Sequence, residues 1–397
     1  MSKKNVEVNS GLNIVADENI PYVAEVFGAL GKVRTVTGRA LSADQVSDAD
    51  MLLVRSVSRV DQSLLQNSRV KFVATATIGT DHVDLSYLKS HNMGFASAPG
   101  SNAISAAEYV LSSLCAIYTL DTLRNKTVAV VGCGNVGSRV LHRLELLGIK
   151  TLPYDPPRQE QFNDRDYVTW DAVKGADIVT AHVPLNRTGS HPTLHMFDHA
   201  FFTERPSHSV FINTARGSAV DEAALKRVLQ SGKQLILVLD VWHGEPAIDR
   251  DIVDYARVAT PHIAGYSLDG KVRGTRMIFE AACDYFQIPY HWSDPHLAVP
   301  EATQEISFPP EISAQDLISQ AVLHAYPVMQ DDAALRAGMY MDADAWVAHF
   351  DRLRKQYPVR REFSYFTVLL QKNQMPEANL LSVRERLQGL GFTVKLT

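Results

Sequence analysis

The run Thr127-Val-Ala-Val-Val131, followed directly by Gly132-Cys-Gly134-Asn135-Val136-Gly137, constrains this chain more than any other stretch. Five residues rich in Val and Thr read as a buried strand, while Val136, Val140, Leu144 and Leu147 recur at helical spacing up to Gly148. The glycines between them have separate uses. Gly132 permits the tight turn, Gly134 lets the backbone approach a ligand, and Gly137 lets the helix lie close on the strand. The helix N-terminus then offers unpaired N–H groups and the positive end of its dipole, which suits a pyrophosphate.

Asp155 closes the next strand, about 20 residues further on. A carboxylate there accepts hydrogen bonds from ribose hydroxyls and repels a 2′-phosphate. The pattern points to a dinucleotide held by Gly132, Gly134, Asn135, Val136 and Gly137, and to NAD rather than NADP. Arg158 is the one neighbour that would favour a 2′-phosphate.

Strand-like and helix-like segments alternate on both sides of this motif, as in a parallel α/β sheet. Upstream, Leu12–Ala16, Met51–Val54, Lys71–Thr75 and Met93–Ala96 read as strands, and Tyr22–Leu30 as a helix ended by Gly31. Downstream, Thr127–Val131, Lys150–Tyr154, Asp177–Val179, Ser209–Asn213, Leu235–Val241 and Arg257–Thr260 form a second series of Rossmann size. The helical pattern from Ile104 to Ile117 joins the two series. Residues 291–310 carry several prolines and read as a linker, followed over 311–397 by a small α+β module. The expected architecture is thus α/β, with two doubly wound parallel-sheet domains, one Rossmann and one flavodoxin-like. Residues 1–103, with a return helix near 268–290, form the first, 104–267 the NAD-binding domain, and 311–397 a third module.

At 397 residues the chain exceeds a single ordinary core. Hydrophobic residues at 46% and charged residues at 21% exclude a disordered polymer. A formal net charge of −5 argues against a polyanion-binding surface, so neither nucleic acid nor membrane is an expected partner. Cys115, Cys133 and Cys283 are too scattered for a disulfide framework or a metal site, and no secretory pattern opens the chain. A reducing, cytoplasmic setting and no metal are the expectation.

Three strand ends carry chemistry: Asn213-Thr-Ala-Arg216-Gly217, Leu239-Asp240-Val-Trp-His-Gly-Glu245-Pro246 and Thr260-Pro-His262-Ile-Ala-Gly265-Tyr266. All three fall at the carboxyl edge of a sheet, where open α/β folds bind ligands. In these motifs the sequence resembles the D-isomer-specific 2-hydroxyacid dehydrogenases from about Leu12 to Tyr290. That resemblance implies Arg216, Glu245 and His262 as the catalytic group, with Asp240 at the nicotinamide side of the cofactor and Gly265 as a further cofactor contact. The residue types suit the reaction. An Arg fork binds a carboxylate and polarises the C2 oxygen, imidazole takes the hydroxyl proton as hydride leaves, and a carboxylate orients the imidazole.

Val54-Arg55-Ser56-Val57, Ala74–His82, Pro99–Ala103, Gly270–Thr275 and Tyr357–Phe363 are similar in detail to one branch of that family. Its substrate is 4-phospho-D-erythronate, oxidised to (R)-3-hydroxy-2-oxo-4-phosphobutanoate on the route to pyridoxal 5′-phosphate. The resemblance implies substrate contacts for Ser56, Thr77 and Tyr266, and a homodimer formed through the C-terminal module. A substrate with two anionic ends needs a second cation beside Arg216. Arg55 is the candidate, helped by Arg360 or Arg361 of a partner subunit. Two alternatives stand: a dehydrogenase for glycerate, lactate or 3-phosphoglycerate, and a non-catalytic NAD-sensing corepressor or scaffold of the same fold.

Overall fold

Apolar residues at every position of a strand, rather than at alternate ones, mark a sheet covered on both faces. Val128 and Val130 of one strand point into one core, while Ala129 and Val131 point into another. The computed structural model describes residues 11–290, 292, 304–372 and 375–397. It divides the chain into two compact units, Met1–Asn102 with Leu268–Ala302, and Ala103–Ser267 with Thr303–Thr397.

In the first unit, β1 (Leu12–Asp17), β2 (Gly31–Val36), β3 (Met51–Val54), β4 (Phe72–Thr75) and β5 (Gly94–Ala96) form a parallel sheet in the order β2-β1-β3-β4-β5. This is the flavodoxin-like order. The helix Leu268–Phe286 returns to this unit, and its Ile278, Phe279, Ala282 and Cys283 bury against Ile14, Met51, Phe72 and Ala74. Strand β2 differs from expectation, because Gly31 begins a strand rather than ending a helix, and the preceding helix is only Val23–Phe27.

In the second unit, β6 (Thr127–Val131), β7 (Lys150–Tyr154), β8 (Ile178–Ala181), β9 (Val210–Asn213), β10 (Ile236–Leu239) and β11 (Val258–Ala259) are also all parallel. Their order is β11-β10-β9-β8-β6-β7. The strand direction of travel reverses at β6, so the loops after β6 and β8 diverge and open a crevice at the carboxyl edge.

The C-terminal residues add β12 (Gln304–Ser307), β13 (Phe366–Leu370) and β14 (Thr393–Leu396), a parallel sheet with β13 central. Most of the expected linker lies outside the described residues, and its far end is strand β12. The module shares a core with the Rossmann sheet. Leu317, Val322, Phe363 and Val368 bury in the same cluster as Val128, Ile178 and Ile212. The helix Ala103–Ile117 is buried nearly all round, and its apolar residues pack inside that cluster. Among the described residues, no helix is long and apolar enough to cross a membrane.

Candidate active site

Strand β6 ends in the glycine loop, whose geometry follows the sequence argument. Gly132 has φ +89°, and a Cβ there would meet the His182 backbone at 2.8 Å. At Gly137 a Cβ would lie 1.8 Å from the Gly132 carbonyl oxygen, so only glycine lets the helix start this close. A Cβ at Gly134 would touch nothing within 4 Å. The protein leaves room there that its own packing does not require, and a pyrophosphate fits that use. No side chain caps the helix Asn135–Leu146, which begins at Asn135 and Val136. The loop therefore suits an anionic dinucleotide.

Asp155 follows β7 and holds the loop from the side. Its carboxylate accepts from the Cys133 amide at 2.8 Å and the Arg158 amide at 3.1 Å, leaving lone pairs for a ribose. The Arg158 guanidinium is engaged by Asp164 at 2.6 Å. The one side chain that would favour a 2′-phosphate thus already has an anionic partner.

The catalytic candidates come from three neighbouring strand ends. Arg216 follows β9, in a loop braced by Asn213, which accepts from the Ala215 amide at 3.0 Å and donates to the Arg216 carbonyl at 3.1 Å. A Cβ on Gly217 would lie 1.9 Å from the Trp242 carbonyl oxygen, so the loops after β9 and β10 touch backbone to backbone. Trp242 leads into Glu245, whose Oε1 accepts from the Trp242 amide at 2.9 Å. The other oxygen, Oε2, lies 2.7 Å from His262 Nδ1. Burial alone would raise the Glu245 carboxyl. The His262 imidazole, nearby Arg354 and the Trp242 amide outweigh it and hold the group below the usual carboxylate range.

His262 sits in the left-handed region at φ 56°, a conformation side chains other than glycine rarely take. Buried Asp240, just beyond β10, fixes it there. The carboxylate accepts from the amides of Ile263 and Ala264 at 2.7 and 2.9 Å and from the Thr260 hydroxyl at 2.6 Å. Because the Thr260 proton is committed to Asp240, the Tyr109 hydroxyl 2.8 Å away must donate to Thr260. Burial pushes the Asp240 carboxyl up, against His262 and these donors, which favour the anion. Three of its roughly four lone-pair sites are used, leaving one for a cofactor amide.

Gly265 and Tyr266 follow in the same loop. The Tyr266 hydroxyl accepts from Arg354 at 3.1 Å. The C-terminal module grips the loop on either side of it, through Arg360 to the Ala264 carbonyl at 3.0 Å and Glu362 to the Ser267 hydroxyl at 3.0 Å. Arg360 is buried and also donates to the Ser105 carbonyl. It is a clamp within its own chain, which corrects the expectation that it reaches a partner's substrate. Arg361 lies over the Tyr365 ring, 4.1 Å from its centre.

In the first unit, Ser56 is exposed in the turn after β3, beside half-buried Arg55. Thr77, after β4, is tied locally, with its hydroxyl 2.7 Å from that of Thr75 and donating to the Gly79 carbonyl at 3.2 Å. Lys271, on the return helix, lies in the Gly270–Thr275 stretch, but the sequence alone gave it no role. Burial, and secondly the nearby charge of Arg55, push it down to about 8. His182, after β8, was also missed. Its ring stands between the hydroxyls of Thr180 and Thr214, at 2.9 and 3.0 Å, and burial drives it down to about 3, so it is neutral. Its position at a strand's carboxyl end is the signal that would have found it. Among the described residues, no cluster of His, Cys, Asp and Glu could hold a metal ion.

Comparison with known proteins places this arrangement. Residues 105–264 match the family described as D-isomer specific 2-hydroxyacid dehydrogenase, NAD binding domain. Residues 297–382 match a domain of unknown function. The chain is 42% identical over 389 residues to the erythronate-4-phosphate dehydrogenase of Marinobacter nauticus, covering 96% of this chain and all of that one. To the enzyme of the same name from Edwardsiella ictaluri it is 45% identical over 390 residues, covering 97% of this chain and 100% of that one.

The chain belongs to the erythronate-4-phosphate dehydrogenases.

As a member it is an NAD-dependent dehydrogenase, and residues 105–264, which contain the glycine loop, match that family's NAD binding domain. Among solved structures, D-lactate dehydrogenase from Aquifex aeolicus, complexed with NAD and lactic acid, has the same fold over part of the chain. The TM-score is 0.58 at 24% identity, covering 69% of this chain and 95% of that one.

Proposed function

We propose that this chain oxidises 4-phospho-D-erythronate to (R)-3-hydroxy-2-oxo-4-phosphobutanoate, with Arg216, Glu245 and His262 as its catalytic group. The 2.7 Å contact between Glu245 Oε2 and His262 Nδ1 carries the chemistry. With Nδ1 protonated and bound by the carboxylate, Nε2 is the nitrogen that takes the C2 hydroxyl proton. NAD, when bound, accepts the hydride from C2. Arg216 holds the substrate carboxylate, and the positive charge left on the imidazole is balanced by Glu245. General base help of this kind contributes about 10²–10⁴-fold in rate.

Arg55 and Lys271, close enough to shift Lys271, supply paired positive charge for the substrate phosphate. Ser56, Thr77 and Tyr266 add hydroxyl contacts, Asp240 serves the nicotinamide side of the cofactor, and Gly265 is a further cofactor contact. The relatives' shared name supports this substrate over lactate or glycerate, and the intact Glu–His pair supports an enzyme over a scaffold.

The protein acts as a homodimer in the cytoplasm. Tyr340 is 100% exposed and Val359 76% exposed in the C-terminal module, apolar surface suited to a partner. All three cysteines are free and buried, as a reducing compartment allows.

The test is NADH formation with a panel of D-2-hydroxy acids, phosphorylated and not. 4-Phospho-D-erythronate should give the highest kcat/KM, and Arg216→Ala and His262→Ala should abolish most turnover while still binding NADH. Equal turnover of lactate or glycerate would overturn the substrate assignment.

A further inference from the structure

The C-terminal module reaches the candidate active site through Arg354, on the helix Ala343–Lys355. Its Nη2 donates to the Tyr266 hydroxyl oxygen at 3.1 Å, and its guanidinium carbon lies 5.8 Å from the centre of the Tyr266 ring. Tyr357, just past the same helix, packs edge-on against that ring at 5.8 Å between centres. The module thus fixes both the plane of Tyr266 and its oxygen.

A phenol has one proton to give and lone pairs that accept, whereas a guanidinium only donates. With Arg354 on the accepting side, the Tyr266 proton must point elsewhere. Nor is Arg354 placed to satisfy itself, because its Nε–H is buried with no acceptor among the described residues. A desolvated donor without a partner is unfavourable, so packing of the fold alone does not explain this arginine.

We infer that Arg354 is a positioning residue which makes Tyr266 an obligate hydrogen-bond donor to an oxygen of the anionic substrate. The inference rests on the reading of Tyr266 as a substrate contact. It gives the C-terminal module a part in substrate recognition within one chain, separate from any role in assembly. Replacing Arg354 by a side chain that can also accept would let the phenol turn its proton inward, where it is lost to the substrate.

Steady-state kinetics of the full chain with 4-phospho-D-erythronate test this in Tyr266→Phe, Arg354→Met, Arg354→Gln and Arg354→Lys, with NADH affinity and melting temperature followed in parallel. Tyr266→Phe, Arg354→Met and Arg354→Gln should each raise KM about tenfold or more, the scale of one hydrogen bond to a charged group, with kcat changed less than about threefold. Arg354→Lys, still donor-only, should keep KM within about threefold of the parent. The double variant Tyr266→Phe/Arg354→Met should be no worse than Tyr266→Phe alone.

Multiplying rather than coinciding effects would overturn the inference, as would Lys and Gln variants with the same KM. So would an Arg354→Met protein that melts early and loses kcat with KM unchanged. If Arg354→Met does not fold, the contrast between Lys and Gln decides. A Tyr266→Phe enzyme with unaltered KM would instead remove Tyr266 from the substrate site, whatever Arg354 does.

Discussion

Asp240 holds His262 without touching its ring, by accepting the amides of the two residues that follow it, Ile263 at 2.7 Å and Ala264 at 2.9 Å. The left-handed backbone at His262 is strained by about 1–3 kcal/mol, and such strain persists only where neighbours over-determine it. Asp240→Asn keeps the shape but turns one acceptor oxygen into a donor facing a donor. Thermal unfolding should show a loss of about 1–3 kcal/mol, the scale of an unsatisfied buried group. The same variant should lose kcat by tenfold or more, about the effect of a misplaced general base. Parent-like kcat would show that the loop keeps His262 in place without the carboxylate.

The glycine loop offers a paired test of which glycines serve the fold and which serve the ligand. A Cβ at Gly137 collides with the Gly132 carbonyl at 1.8 Å, while one at Gly134 meets nothing within 4 Å. Gly137→Ala should therefore lower the melting temperature, with an overpacking loss of about 1–3 kcal/mol. Gly134→Ala should melt with the parent yet bind NADH more weakly, read by fluorescence titration. If both variants behave alike, the open space at Gly134 is not where the pyrophosphate lies.

Substituting Glu245 by Gln probes the tautomer of His262. The Gln oxygen would still accept from the Trp242 amide, as Glu245 Oε1 does at 2.9 Å. Its NH2 group would then face His262 Nδ1, which must become an acceptor. The ring proton moves to Nε2, the nitrogen that has to receive the substrate proton. Turnover should fall by about 10²–10⁴-fold with NADH affinity unchanged. A small loss would mean that neither the charge of Glu245 nor the tautomer it sets on His262 limits turnover.

What the sequence shows well is periodicity joined to local chemistry. The buried central strands β1, β3, β4 and β6 are largely apolar, with polar residues only at Asn13 and at strand ends, and the glycine loop and the motifs around Arg216, Glu245 and His262 each sit at a strand end that the pattern marks. Edge strand β2 was missed because Lys32 and Arg34 face solvent and Gly31 reads as a helix stop. Strand β12 hid in a proline-rich stretch because its one deeply buried residue is Ile306. Arg354 carries no motif, and it matters through what the fold brings to it from far along the chain, of which single-sequence spacing contains no trace. His182 had only its place at a strand's carboxyl end to mark it, and Lys271 lies in the Gly270–Thr275 stretch that resembles the family without a role readable from its spacing. Arg360 shows the opposite error, since its motif was noticed but its direction was not. Two carbonyl acceptors, at Ala264 and Ser105, turn it into the interior.

Lys271, if it faces the substrate phosphate as proposed, should make substrate capture depend on pH. Its value lies near 8, below that of an ordinary lysine, because burial disfavours the ammonium and the charge of Arg55 adds to that. The group is therefore a cation below about pH 8 and neutral above it. A bound phosphate dianion favours the cation, so the KM for 4-phospho-D-erythronate should rise as pH passes upward through about 8, without a matching change in NADH affinity. Lys271→Met should raise KM at pH 7 and remove this dependence. Kinetics from pH 6.5 to pH 9.5 on both proteins, compared with a non-phosphorylated D-2-hydroxy acid, separate the phosphate from the carboxylate end. A KM that climbs equally for the non-phosphorylated acid, or still climbs in Lys271→Met, would assign the titration to another group and leave Arg55 as the phosphate's cation.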